Sequence, residues 1–183
     1  MALNTIPIPY GLRDVRLTPY TTSAADTLGS GVDLPYSRTL SFTDAEAYDD
    51  LRGDDMLVAT HGQGSVVEWD LEAGGISLEA YKVLNGGTIN TTGTTPNQIK
   101  TYSKMVTDVR GYFKAEGQAI SDSGGDFHGI IYKCKVTGNI DGQLGDGVFY
   151  LTKCKGKGLP ATLSGKVNYL YDFVQNETAT AIP

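Results

Sequence analysis

Several kinds of residue that functional sites depend on are scarce in this chain. Its 183 residues include only two histidines and two cysteines, and they contain no HExxH, CxxC or phosphate-loop motif. His128 and Cys134 fall on one apolar strand face, which favours packing over a catalytic pair. Because no acid–base–nucleophile set can be assembled, the sequence indicates no enzyme, and we expect no cofactor or metal site.

Long apolar runs and a basic charge excess are also missing. No stretch approaches the roughly 18–20 consecutive apolar residues of a membrane helix, so we expect no membrane insertion. The first residues lack the basic and apolar regions of a signal peptide, so we expect no secretion. A net charge of −6 and a pI of 4.8 have the wrong sign for gripping nucleic-acid phosphates.

The residues that are abundant favour strands and turns. Glycine occurs 23 times and tyrosine 11 times, while 40% of residues are hydrophobic and 20% charged. We predict a mainly β fold, a sandwich or barrel of about seven to nine strands with one short flanking helix. The main strands are predicted at residues 11–19, 38–43, 66–73, 111–121, 127–137, 148–155 and 166–174, with a further one within 99–109.

The chain organisation is predicted from the segments between these strands. Ser77 as N-cap and the stop Asn85-Gly86-Gly87 bound a helix over about 77–84. We expect one domain over residues 1–183. Its irregular parts are an N-terminal arm at 1–10, a long loop at 20–36, an acidic loop at 44–64, a loop at 88–98 and a C-terminal arm at 175–183.

The acidic loop carries the strongest charge signal. Six of the twelve residues in 44–55 are acidic, namely Asp44, Glu46, Asp49, Asp50, Asp54 and Asp55, with Arg52 as the one basic residue. Six carboxylates so close together repel one another and cannot all be buried. The segment is therefore either exposed or waiting for a basic partner.

Basic residues concentrate in the second half of the chain. Residues 1–99 hold five basic and thirteen acidic residues, whereas residues 100–183 hold ten and eight, which suits head-to-tail contact between copies. A hairpin symmetric about Leu144 would place Cys134 opposite Cys154. Its other face would gather a basic patch of Lys133, Lys135, Lys153 and Lys155.

Residues 40–75 combine an acidic "EAYDD" and "DD" loop, an "ATHGQG" return and an alternating strand at 66–73 that leads to a short helix. In this order of motifs the segment resembles the major tail tube proteins of long-tailed, non-contractile bacteriophages. The segments 128–138 and 169–182 resemble C-terminal parts of actinobacterial-phage tail proteins. His61 inside the glycine return, and the absence of an appended decoration domain, are departures from the pattern.

This resemblance implies a structural virion protein that forms hexameric rings. The rings would stack into a tail tube that conducts the genome, assembled in the host cytoplasm with tape-measure, tail-tip and tail-terminator proteins as partners and DNA in transient passage. The acidic loop would correspond to the inter-ring loop, docking on Lys133, Lys135, Lys153, Lys155 and Lys157 of the next ring. Glu68, Asp70 and Glu72 are candidates for an acidic lumenal or outer face.

Two other classes of function remain open at this point. A tail terminator, a head–tail connector or a secretion-tube protein would share the fold, and assembly into a single ring or a tube would separate them. A monomeric β-sandwich binding module for glycan or protein would stay a compact monomer at any concentration.

Overall fold

A computed structural model describes residues 6–21, 27–75 and 77–183. The predicted N-terminal arm and the 20–36 loop therefore lie partly outside the described residues. The described part contains ten strands and one helix: β1 (Pro9–Pro19), β2 (Val32–Asp33), β3 (Ser37–Gly53), β4 (Met56–Gly74), α1 (Leu78–Asn85), β5 (Thr88–Thr92), β6 (Ile99–Ser103), β7 (Phe113–Ser121), β8 (Asp126–Asp141), β9 (Leu151–Gly158) and β10 (Tyr171–Asn176). The mainly β prediction is confirmed.

One antiparallel sheet forms the body, in the order β2-β1-β7-β8-β9-β4-β3. β8 shares its second edge between two partners, with β10 along Asp126–Ile131 and β9 along Cys134–Asp141. β5 and β6 pair only with each other. β2 and β3 are the end strands of this ladder, and β10 is a further edge strand because it pairs with β8 alone among the described strands.

The sheet closes on itself in a sandwich-like way at the start of β3. Gly117 and Gly129 are register partners on β7 and β8, and because they have no side chains they leave a shallow surface on the sheet. Leu40 lies over Gly117 and Phe42 over Gly129, so that a Cβ at either glycine would fall 2.8 Å from those side chains. Phe42 also meets Phe173 of β10 edge to face, with 5.6 Å between ring centroids.

The core lies between the alternating inner faces of these strands. Val67, Trp69, Leu71 and Ala73 are all buried, as the alternation over 66–73 predicted. Trp69 packs edge to face on Phe113 at 5.6 Å. Helix α1 covers one side of this core with buried Ala80 and Leu84. A core of this kind supplies most of the folding free energy, at about 25 cal/mol per Å² of apolar surface buried.

The ends of the helix agree with the sequence prediction. The Ser77 hydroxyl accepts a hydrogen bond from the Ala80 N–H at 3.3 Å, which satisfies a free donor of the first turn. Gly86, with φ of 75°, ends the helix by donating its N–H to Lys82 O.

The predicted acidic loop is wrong, because residues 44–53 continue β3 and residues 56–64 belong to β4. A two-residue turn at Asp54 and Asp55, with φ of 50° and 61°, joins the two strands. Positive φ at both positions has the sense of a type I′ turn, whose twist matches the strands it connects. Charge repulsion correctly predicted exposure here, but it does not prevent a strand ladder, since backbone groups make the pairing.

Other boundaries also differ from the predictions. Residues 88–92 form β5 rather than loop, because β-branched Thr and Ile suit the ladder with β6. The strand predicted within 99–109 ends at Ser103, and the one predicted at 166–174 begins only at Tyr171.

The C-terminal arm is wrong as well, because the segment 175–183 is tied to the body. Asn176 ends β10, and Ile182 is only 7% exposed. The Thr180 N–H donates to the buried carboxylate of Asp126 at 2.8 Å. Asp126 is an anchor that the sequence pattern did not indicate.

The symmetric hairpin about Leu144 is also wrong. A register irregularity between Val136 and Ile140 shifts the pairing of β8 with β9, so that Cys134 faces Gly158 and Cys154 faces Ile140. Both thiols are free and buried. The predicted four-lysine patch is split by the same shift, since Lys135 faces Lys157 while Lys153 faces Asp141.

Candidate interaction surfaces

The most prominent surface feature is a ribbon made of residues 44–66, here called the acidic hairpin. β9 pairs with β4 only as far as Val67, and beyond that point β4 pairs with β3 alone. The ten residues from Ser65 to Met56 make the ribbon about 33 Å long at the usual strand rise. It therefore extends well past the end of the neighbouring strand β9.

The carboxylates of the acidic hairpin are exposed and only partly engaged. The Thr60 hydroxyl donates to Asp50 at 2.9 Å, and the Gln63 amide donates to Asp49. The Tyr48 hydroxyl donates to Glu46 at 2.6 Å, and this contact raises the pKa of Tyr48. These bonds join side chains along the ribbon, and the carboxylates remain exposed.

Large apolar side chains lie among those carboxylates. Leu51, Met56 and Val58 are 63%, 69% and 64% exposed, and Tyr48 and Leu57 are also more than half exposed. A two-stranded ribbon without a core is marginally stable in water. An exposed apolar surface of this kind marks an interaction site. The acidic hairpin thus has the properties of a docking element.

The acidic face predicted at 68–72 is balanced within the chain. Glu68, Asp70 and Glu72 of β4 lie opposite Lys157, Lys155 and Lys153 of β9. Lys153 Nζ is 2.9 Å from Glu72, and Lys157 Nζ is 3.6 Å from Glu68. The hydrogen bond from Lys153 is the main cause of the lowered pKa of Glu72. Three of the five predicted docking lysines therefore already face carboxylates.

The other two predicted lysines lie among aromatic rings. Lys133 Nζ is 5.0 Å from the Tyr112 ring centroid and Lys135 Nζ is 4.8 Å from it, while Lys133 also approaches Tyr20 at 5.9 Å. Lys133 further donates to the Thr162 hydroxyl at 3.3 Å. These are cation–π contacts, and neither lysine forms an ion pair with a carboxylate of the described residues.

Arg110 joins this basic group, although the sequence did not indicate it. Its Nη1 donates to Gly138 O at 2.6 Å, and its Nε donates to the Asn85 amide oxygen at 3.2 Å. The fixed guanidinium lies beside Tyr112 and Lys135 in a cavity of about 340 Å³. Only spatial proximity of residues 110, 112 and 135 reveals the cluster, so a linear pattern could not have found it.

An apolar loop lies at the end of the sheet opposite the acidic hairpin. Leu151 at the start of β9 pairs with Gly74, whereas Gly158 at its end pairs with Val67 beside the hairpin. The β8–β9 loop precedes Leu151 and exposes Leu144, Val148 and Phe149 at 84%, 56% and 94%. The two most exposed apolar regions of β4 and β9 thus point in opposite directions.

The two histidines and the two cysteines of the described residues lie in separate surroundings. His128 Nε2 bonds to Asp126 at 2.9 Å, whereas Cys134 Sγ donates to Ile131 O, so the two do not form a pair. Burial raises the pKa of both thiols, that of Cys154 to about 12. His61 stands on the acidic hairpin opposite Asp49.

Asp126 is a fully buried carboxylate with several hydrogen-bond partners in the described chain. Burial raises its pKa, but hydrogen bonds from Thr180, Gln118, His128 and Asn176 outweigh that effect and lower the pKa to about 2. The arrangement fastens the C-terminal segment to β8 and engages both oxygens of the carboxylate.

The described residues, 6–21, 27–75 and 77–183, include neither a cluster of metal-ligating side chains nor a membrane-spanning helix. That part of the chain holds no cluster of three or more His, Cys, Asp or Glu side chains able to bind a metal ion. Its single helix has eight residues, and none of the described structure offers a helix long and apolar enough to span a bilayer. No protein-family model and no curated protein matches this chain.

Proposed function

We propose that this chain is the tail tube subunit of a long-tailed, non-contractile bacteriophage. It would form hexameric rings that stack into a tube within the virion tail, assembled in the host cytoplasm around a tape-measure protein. Tail-tip and tail-terminator proteins would close the two ends, and DNA would pass through without specific binding.

The acidic hairpin is the observation that carries this proposal. It is a two-stranded ribbon of about 33 Å that has no buried side chain in the described structure and exposes Leu51, Met56 and Val58. A partner surface would remove this apolar area from water and supply the stability that two strands alone lack.

The opposite placement of the acidic hairpin and the β8–β9 loop favours a head-to-tail contact. Such a heterologous interface closes into rings or propagates as a filament, depending on the rotation between copies. A tube of stacked rings needs one contact that closes each ring and another that adds the next ring. The edge strand β3 would also be covered in a ring, which removes an exposed ladder edge.

The overall charge suits a conduit for DNA. A net charge of −6 repels phosphate, so a passing genome would not adhere to the wall. The lysines of β9 do not reverse this, because they face Glu68, Asp70 and Glu72.

Negative-stain microscopy and light scattering over a concentration series test the proposal. We expect hollow tubes or rings with six-fold end views from the intact chain. A variant in which a short glycine turn replaces residues 47–64 should keep its fold by circular dichroism and form no tubes. Tubes formed equally well by that variant would contradict the proposal, single rings would favour a terminator, and a monomer of about 20 kDa at all concentrations would favour a binding module.

A further inference from the structure

The basic group beside Tyr112 lines a groove with mixed character. Tyr20, Val109 and Tyr112 provide apolar walls, and Arg110 and Lys135 provide the charge, around a volume of about 340 Å³. Val109 is 83% exposed, so the groove opens to the surface. Here we call it the basic groove.

The cations of the basic groove are not paired with carboxylates of the described chain. Arg110 bonds to carbonyl and amide oxygens only, and Lys135 rests on the Tyr112 ring. Lys133 shares that ring and bonds to the Thr162 hydroxyl. Lys157, opposite Lys135 on β9, is instead close to Glu68. The groove therefore offers positive charge in a half-apolar setting, where attraction to an anion is stronger than in open water.

A ligand for such a groove needs carboxylates next to apolar side chains. The tip of the acidic hairpin has this composition, since Asp54 and Asp55 form its turn and Met56 follows directly. Both turn residues are exposed, and Met56 is 69% exposed. We propose that the basic groove receives the tip of the acidic hairpin from a second copy of this chain. This inference rests on the proposed function, for which it names the acceptor surface.

The ribbon geometry requires a second copy. Lys135 faces Lys157, which in turn faces Glu68 of β4. The tip begins at Met56, twelve residues further along β4, which corresponds to about 40 Å of strand. A straight ribbon cannot return its tip to a groove beside its own root, so the tip reaches only the groove of a neighbour.

Nucleic acid is a poorer occupant of the groove than the hairpin tip. The chain has a net charge of −6, and the carboxylates of the acidic hairpin add to the field that a polyanion would meet. A short acidic peptide segment brings two carboxylates without a long run of phosphates. Charge complementarity thus favours the tip of a second copy.

Isotope-mixed cross-linking tests the contact directly. Protein labelled with ¹⁵N is co-assembled with unlabelled protein, treated with a zero-length carbodiimide and analysed by mass spectrometry. We expect cross-links between Lys133 or Lys135 and Asp54 or Asp55 in which one peptide is labelled and the other is not. Assembled protein that lacks these mixed cross-links overturns this inference alone, whereas wild-type protein that never assembles overturns the proposed function with it.

Matched lysine variants provide the second test. Lys133→Gln with Lys135→Gln should raise the concentration needed for assembly about tenfold or more, because the anion then meets no mobile cation. The control is Lys153→Gln with Lys155→Gln, which removes the same charge from lysines that already face Glu72 and Asp70. It should change the concentration needed for assembly only little. A larger rise in the assembly concentration for the Lys153 and Lys155 variant than for the Lys133 and Lys135 variant would overturn the inference.

A charge exchange separates pairing from misfolding. Asp54→Lys with Asp55→Lys should impair assembly, and so should Lys133→Glu with Lys135→Glu, while circular dichroism stays unchanged. All four substitutions in one chain should restore assembly to within a fewfold of wild type, since each tip again meets the opposite charge. A quadruple variant no better than either pair contradicts the contact.

Discussion

Glu72 and Lys153 face each other across β4 and β9, with their charged atoms 2.9 Å apart. Arg38 also lies 2.9 Å from Glu72, so this carboxylate has two cations. The sequence alone suggests separate acidic and basic surfaces, but the pairing of β4 with β9 brings these acidic and basic residues side by side. It leaves the group around Tyr112 as the unbalanced positive surface of the described strands β8 and β9.

The Lys153–Glu72 pair should matter little for stability. Lys153→Gln is expected to lower the melting temperature by roughly 2 °C or less, because partly exposed ion pairs contribute little and salt screens them. Thermal denaturation followed by circular dichroism measures the shift. A drop of ten degrees would show that the ion pair is essential to the sheet.

Gly156 should be intolerant of a side chain. A Cβ there would overlap the carbonyl oxygen of Lys135 and come within 2.5 Å of the Trp69 ring, and neither backbone nor core ring moves freely. Gly156→Ala is therefore expected to cost about 3 kcal/mol of unfolding free energy, at the upper end of overpacking effects. Gly111→Ala is the matched control, since no atom lies within 4 Å of its added Cβ. Urea unfolding compares the two, and equal stabilities would contradict the packing described.

Asp126 should give the fold an acid-sensitive contribution. Its folded pKa of about 2 lies below the ordinary value of 3.8, so its stabilising effect is complete above about pH 4 and is lost as the pH falls through 2. Asp126→Asn should cost roughly 2–4 kcal/mol at pH 7, because the neutral amide loses the charge-assisted bonds from Gln118 and the Thr180 N–H, and its NH₂ group then meets the donor of Asn176.

Urea unfolding at several pH values measures this effect, and carboxypeptidase digestion reports release of the C-terminal segment. The difference between wild type and Asp126→Asn should shrink toward pH 2. Asp122→Asn, in an exposed turn, is the control and should show no such trend. A difference that stays constant from pH 7 to pH 2 would rule out the buried carboxylate as its source.

A variant of the acidic hairpin can keep the shape of its turn while losing the charge of Asp54 and Asp55. Asp54→Asn with Asp55→Gly keeps a two-residue turn with positive φ, for which Asn-Gly is the preferred pair. The variant should thus hold the ribbon at least as well while removing two carboxylates. We expect weaker assembly by light scattering, with a smaller dependence on salt. Unchanged assembly would mean that the turn geometry alone is recognised.

Local patterns predicted the body of the fold well. Alternation around Trp69 placed a strand with its buried face, and Ser77 and Gly86 set the limits of the helix. These features depend on neighbours within a few residues, which a sequence displays directly.

Features that depend on register or on distant partners were not predictable. The irregularity between Val136 and Ile140 moved Cys154 away from Cys134, and no residue type announces it. Arg110 and Tyr112 join Lys135 only through tertiary packing. Five docking lysines were predicted from the sequence, but only the sheet order shows that three of them face carboxylates of β4.

Cryo-electron microscopy of the assembled protein would show whether the acidic hairpin links neighbouring rings. We expect a hollow, six-fold tube in which residues 44–66 of each subunit cross to the next ring and place Asp54 and Asp55 beside Lys135 of a neighbour. An assembly without a central channel, or one whose hairpins extend freely into solvent, would contradict it.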